Sequence, residues 1–287
     1  MLDLTLCILS SSSLFVIFKL FSKHGVQTFY AIVTNYFVAA LCAGFFHNGP
    51  LHLGLIPSKP WFLPTLALGA LFLVVFKLTA KTAQEIGVSV ASVVSKMSLV
   101  VPVLLGVVLY RELLGPIKVV GILIALLAVY FVSLKEGEAK IKSVNLILPI
   151  SLFLGSGLVD ASIKYLQAAY MAKGDFPLFS LTVFGAAGCT GFLLILFRSV
   201  GHPIKVNTKN LLAGTVLGIF NFFTLFFLLR ALEGEILNSA SIFTINNVAT
   251  VLVSTLLGIL LFKEKLRIKN WLGIVLAVSS ILMVAFS

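Results

Sequence analysis

Glu85, Ser89, Ser92 and Lys96 follow one another at spacings of four, three and four residues in the 287-residue chain. On a helix those spacings put all four on one stripe, and the residues between them are mainly Val and Ala. Such a stripe lines a polar path through apolar surroundings, where the Lys96 ammonium suits a carboxylate or phosphate on a ligand. The same lysine can instead be half of an interhelical ion pair or rest on backbone carbonyls, because a charge inside a membrane span has no inexpensive role.

Asp160 and Lys164 stand four apart with the acid first, the better orientation for a same-helix pair. Asp160 is also read as a proton-coupling carboxylate, since burial and a neighbouring lysine act on it in opposite senses. Asn246 and Asn247, Asn221, and Asn35 with Tyr36 offer hydrogen bonds at no charge cost, and adjacent asparagines face different sides of a helix. Lys77 and Lys81, with Glu85 four further on, are expected to snorkel or pair near a surface. Every histidine lies in or beside a loop, His47 and His52 included, and two loop histidines without carboxylate or thiolate company make no metal site. No nucleophile motif, phosphate-binding loop or ligand cluster appears, so neither enzymatic activity nor a cofactor is expected.

The elements that must position these groups are membrane helices. Hydrophobic residues make up 60% of the chain and charged ones 11%, with a mean hydropathy of +1.13, far from the balance of a water-soluble domain. Apolar runs of about 20 residues recur, without the alternation of a barrel strand. They place spans at 3–21, 27–46, 61–80, 86–110 and 116–134, then 146–166, 177–197, 209–230, 236–262 and 269–286. The fold class is therefore all-α integral membrane with ten transmembrane helices, each half contributing five. Residues 135–145, KEGEAKIKSVN, form a charged linker between a first unit (1–134) and a second (146–287). The net charge of +11 sits mostly in short loops, where it meets lipid headgroups; no nucleic-acid partner is expected. Cys7, Cys42 and Cys189 lie in apolar runs and read as packing residues. Trp61 and Trp271, near span ends, read as an aromatic belt.

The stretch GVVLYRELLGPIKVVGI (106–122) returns as GILLFKEKLRIKNWLGI (258–274), pairing Glu112 with Glu264 and Gly121 with Gly273. Ser11–Lys19 likewise aligns with Ser156–Lys164, and Ala91-Ser92 with Ala240-Ser241. The first copy has Phe15 where the second has Asp160, so the repeat itself does not need the acid. Five spans per half is odd, which inverts the second half relative to the first. Small residues at Gly214 and Gly218, Gly121 and Ala125, and Gly273 and Ala277 are spaced for close helix packing.

The run VSVASVVSKMSLVVPVLLGVVLYRELLGPIKVVGILIALLAVYFVS resembles the repeat unit of the drug/metabolite transporter superfamily, EamA type. Ala91-Ser92, the mid-helix Pro102, Glu112 and Gly121 carry the resemblance, and Ala240-Ser241, Glu264 and Gly273 keep it in the second copy. The resemblance implies a secondary transporter for a small polar metabolite or amino acid, an exporter working by alternating access, in a bacterial inner membrane, as a monomer or weak homodimer. The alternatives are a membrane scaffold or sensor that keeps the fold without transporting, and an importer. Glu112 and Glu264 read as structural end markers of the halves. Loop charges place the amino terminus outside by the positive-inside rule, whereas the resemblance places both termini in the cytoplasm.

Overall fold

The computed structural model describes residues 1–46, 53–110, 115–134, 144–171, 176–199, 207–233 and 239–285. His47, His52, Glu112 and most of the charged linker lie outside the described residues. The helices are α1 (Leu2–Lys23), α2 (Thr28–Phe45), α3 (Phe62–Glu85), α4 (Val88–Met97), α5 (Val100–Tyr110), α6 (Pro116–Val132), α7 (Val144–Tyr170), α8 (Phe176–Ser199), α9 (Thr208–Glu233), α10 (Ser239–Phe262) and α11 (Ile268–Ala285). A short 3-10 turn, Leu53–Ser58, precedes α3. Among the described residues, nine spans are long and apolar enough to cross a membrane, with α4 and the start of α5 counted as one, and Pro116–Val132 is a shorter tenth.

Two boundaries differ from the sequence reading. Helix α3 runs on to Glu85, so Glu85 closes the third span instead of opening the stripe on the fourth. Gly87 causes the separation: its φ of 154° is open to glycine and strained for other residues. The fourth span is also not continuous, because Ser98 and Leu99 interrupt it. Pro102 has no N–H to give to the Ser98 carbonyl four residues back, and its ring crowds that oxygen. The Ser98 carbonyl takes the Val101 N–H instead, at 2.9 Å, a tightened turn of the 3-10 kind.

Helices of the two halves interlock in pairs that persist when the halves are exchanged. Helix α1 packs on α10 and α7 on α4; α2 packs on α9 and α8 on α3; α2 also meets α8, α4 meets α10, and α6 meets α11. Gly121 lies against Val284 and Gly273 against Ala128 and Val132, so the fifth helix of one half runs antiparallel to the fifth of the other. Gly214 lies against Ala31 and Thr34 while Gly218 lies against Asn35 and Val38, which makes α2 and α9 parallel. In lipid this close approach replaces the hydrophobic drive that water supplies to soluble bundles. Trp61 departs from the belt expectation. It is 0% exposed and packs edge-on against Phe179 of α8 at 5.8 Å. Trp271 is exposed.

Asn270 joins the two fifth helices chemically. Its Oδ1 accepts the Arg267 N–H at 3.0 Å, and its Nδ2 donates toward the carbonyls of Val132 (3.0 Å), Leu134 (3.1 Å) and Phe131 (3.3 Å). One side chain thus closes the start of α11 and the end of α6, both of which leave backbone groups without helical partners. Asn270→Ala is expected to cost about 1–3 kcal/mol, read as a lower apparent unfolding temperature in detergent. Asn270→Asp is expected to be worse, since it sets a carboxylate against three carbonyl oxygens. An aspartate variant as stable as the wild type would show that these bonds do not hold the interface.

Candidate functional site

Helix α4 is the hub, packed against α1, α3, α6, α7, α10 and α11, and it ends beside the Pro102 interruption. Lys96 occupies its last turn. A cation there meets the negative end of the helix dipole and the carbonyls freed by the break. The charged group on the far side is Asp160 of α7, and the two are within electrostatic reach of each other. Ser98 Oγ, at the interruption itself, donates to the Ser95 carbonyl at 2.6 Å and lies 3.5 Å from Asp160 Oδ2. Gly157, one turn before Asp160, has no room for a Cβ against Val101 and the Ser98 carbonyl. Helix α7 therefore docks on the break. Asp160 keeps accessible surface of its own while its carboxylate stays within reach of Lys96 and Ser98. Lys96 is half-buried.

Cys7 completes the cluster from α1. Its Sγ lies 3.3 Å from both Asn246 Oδ1 of α10 and the Thr224 carbonyl of α9, and it is within electrostatic reach of Lys96. A thiol has one hydrogen, so these acceptors share it. Ser11 and Thr250 lie one helical turn further along the same faces of α1 and α10. Ser11 is within hydrogen-bonding reach of the Cys7 thiol, whereas the Thr250 hydroxyl is buried without a hydrogen-bond partner among the described residues, as are Ser12 Oγ, Ser95 Oγ, Asn35 Oδ1 and Asn221 Nδ2. Buried polar atoms seldom go unpaired in native proteins. Those that adjoin the cluster, Ser95 next to Lys96 and Thr250 one turn from Asn246, are donors and acceptors available to a polar ligand.

The residues singled out from sequence thus divide. Lys96, Asp160 and Asn246 converge on one region, with Asn221 on the neighbouring α9. Ser89 is occupied elsewhere: its hydroxyl donates to Glu264 Oε2 at 2.8 Å. Ser92 donates back to the Ser89 carbonyl at 3.0 Å. Glu85 is exposed and 3.9 Å from Lys81, a surface pair of little energetic weight. The Tyr36 hydroxyl donates to the Phe72 carbonyl at 2.8 Å, and its ring packs against Phe76 and Phe184. Asn35 Nδ2 donates to the Ile32 carbonyl at 3.4 Å, and Asn247 is half-buried beside Asn246. Lys164 is exposed, and the lysine acting on Asp160 is Lys96 of another helix. Lys164 and Pro102 instead border a groove of about 180 Å³ between α5 and α7, which is largely apolar and separate from the cluster. Cys7 is the member that sequence reasoning missed. The signal was its spacing of four from Ser11, which puts thiol and hydroxyl on one face.

With this geometry in hand, the chain can be set beside known proteins. The model of the EamA-like transporter family matches residues 3–134 and 148–286. An uncharacterized protein of Haemophilus influenzae is 26% identical over 289 residues, covering 97% of this chain and 96% of its own. A solved crystal structure shares the fold at a TM-score of 0.61 with 16% identity, covering 98% of this chain and 94% of that one.

Proposed function

The chain belongs to the EamA-like transporter family, and from that premise we propose that it is a secondary transporter for a small polar metabolite or amino acid with an anionic group. Two five-helix halves, residues 1–134 and 146–287 joined by the linker 135–145, exchange conformations to open one membrane face while closing the other. The substrate's anionic group is bound at Lys96, and neutral polar groups meet Cys7, Asn246 and the unpartnered hydroxyls. The observation that carries this reading is the convergence of Lys96, Asp160, Cys7 and Asn246 from four helices around an interrupted span. Packing that survives exchange of the halves supports the inverted arrangement, since such halves meet at a midplane site. The protein operates in a bacterial inner membrane, in the export direction.

Asp160 is the coupling group in this reading, with Lys96 in place of Lys164 as its partner. Binding an anion at Lys96 withdraws the charge that compensates Asp160, so substrate and proton occupancy are linked. Purified protein in liposomes is expected to exchange members of a panel of small carboxylates, phosphates and amino acids. The rate is expected to respond to an imposed pH gradient, and Asp160→Asn to remove that response while exchange at equal pH persists. Failure of every solute to move would sink the transport reading. A gradient response surviving in Asp160→Asn would sink the coupling role alone.

A further inference from the structure

Helix α4 is ten residues long, with departures from helical backbone at both ends: Gly87 before it and the Ser98–Leu99 interruption after it. So short a helix moves as one rod about 15 Å in length. Its start is held by the opposite half of the chain. The Glu264 carboxylate, just past the end of α10, accepts the Val88 N–H at 2.6 Å, the Ser89 N–H at 3.3 Å and the Ser89 hydroxyl at 2.8 Å. An anion at the start of α4 and Lys96 at its end both complement the helix dipole. The seat is shaped for this carboxylate. A Cβ on Gly258 would come within 2.6 Å of Glu264 Oε2, and one on Gly87 within 3.0 Å of Oε1. The preceding Lys263 holds a φ of 53°, a left-handed conformation uncommon outside glycine and costly enough to need support.

We propose that Glu264 is a latch and α4 a lever hinged at Gly87 and at the Ser98–Leu99 break. Docked, Glu264 fixes the start of α4 against α10, holds shut the face at which α3 passes into α4, and thereby positions Lys96 about two turns away. Undocked, the start of α4 swings from α10 and Lys96 moves with it. The released carboxylate is not stranded, because it sits at a helix end beside the exposed Lys263 and Lys265. Both states therefore have compensated charge, as a two-state element requires. Glu264 is a positioning residue and touches no substrate. The proposal rests on the transport reading for its purpose, while the motion can be followed without substrate.

The test has two arms. In protein lacking the native cysteines, Ser92→Cys reports access from the face at which α4 begins, by its rate of labelling with a membrane-impermeant maleimide. Glu264→Ala is expected to raise that rate at least tenfold and Glu264→Gln less, since the amide keeps one acceptor. Asn270→Ala, which loosens the same end of the molecule without touching the latch, is expected to leave it unchanged. Equal rates in all forms, or the same rise in Asn270→Ala, would overturn the latch. In the second arm, in a Glu264→Ala background that clears the seat, Ser89→Cys with Gly258→Cys replaces the carboxylate by a direct covalent tie between α4 and α10. A Cβ on Gly258 would be 3.0 Å from Ser89 Oγ, within disulfide reach. Oxidation is expected to cut flux at least tenfold and reductant to restore it; undiminished flux after complete cross-linking would show that α4 need not leave α10. Absence of flux from every form, with labelling behaving as expected, would count against the transport reading and leave the latch standing.

Discussion

Lys96→Met is expected to reduce flux by about a hundredfold or more while the protein still folds. A charge-assisted bond to substrate is worth about 1.5–3 kcal/mol, and each 1.36 kcal/mol is a factor of ten in rate. Losing one such bond, together with the compensation of Asp160, reaches that size. Stability falls as well, because the substitution leaves the Asp160 carboxylate without its cation. Removing one partner of a fully buried pair costs about 3–5 kcal/mol. Both groups here keep accessible surface, so a smaller loss is expected. Lys96→Met combined with Asp160→Leu separates the two effects: replacing both charges by apolar groups is expected to recover the unfolding temperature without recovering flux. Lys96→Arg is expected to restore flux only in part, because a planar fork does not occupy the place of a compact ammonium. Reconstituted flux and thermal unfolding of the same preparations decide the matter. Normal transport by the double variant would remove Lys96 from the substrate path.

What was legible in the chain follows from the range over which its signals act. Apolar runs, the repeat and the intramembrane Lys96 and Asp160 are local, and each carries a cost that only a spanning helix or an internal polar site can meet. Partnerships were not legible in the same way. Asp160 and Lys164 satisfy the spacing rule for a helical pair, yet Lys96 acts on Asp160 across the gap between α4 and α7, which no spacing within one helix reports. Glu264, the counterpart of Glu112, marks a charged turn in the second copy, but its hydrogen bonds go to α4 of the other half. The spacing of Glu85 suits the fourth span, yet Glu85 closes the third, because Gly87 ends one helix and begins the next without a polar loop. Pro102 stood in plain view in the fourth span. Its consequence, a break that sets Ser98 beside Asp160, depends on where α7 packs. An isolated thiol in a hydrophobic run, as Cys7 is, usually fills apolar space; its hydrogen-bonding role appears only when α9 and α10 are placed against α1.

Gly218→Ala and Gly185→Ala delete nothing and add one methyl group each, yet they are expected to act in opposite directions. On Gly218 the new Cβ would lie 2.6 Å from the Asn35 carbonyl and 2.8 Å from Val38 Cβ. A carbonyl oxygen cannot rotate away as a side-chain tip can, so α2 and α9 must separate. Overpacking typically costs about 1–3 kcal/mol, and here separation also thins contacts along the whole interface, because no water-driven attraction between helices compensates in lipid. Gly218→Leu is expected to prevent folding altogether. Gly185, inside α8, has nothing within 4 Å of the same position. There the methyl meets open space and the gain in helix propensity, about 0.8–1 kcal/mol in water, remains. The expected order of unfolding temperature in detergent is Gly185→Ala at or above wild type, then wild type, then Gly218→Ala. A Gly218→Ala protein as stable as the wild type would mean that α2 and α9 are not in backbone contact. Asn35 sits at that contact with its Oδ1 unpartnered, so the separation would also disturb a polar group of the candidate path. Gly218→Ala is thus expected to lower flux in the molecules that do fold.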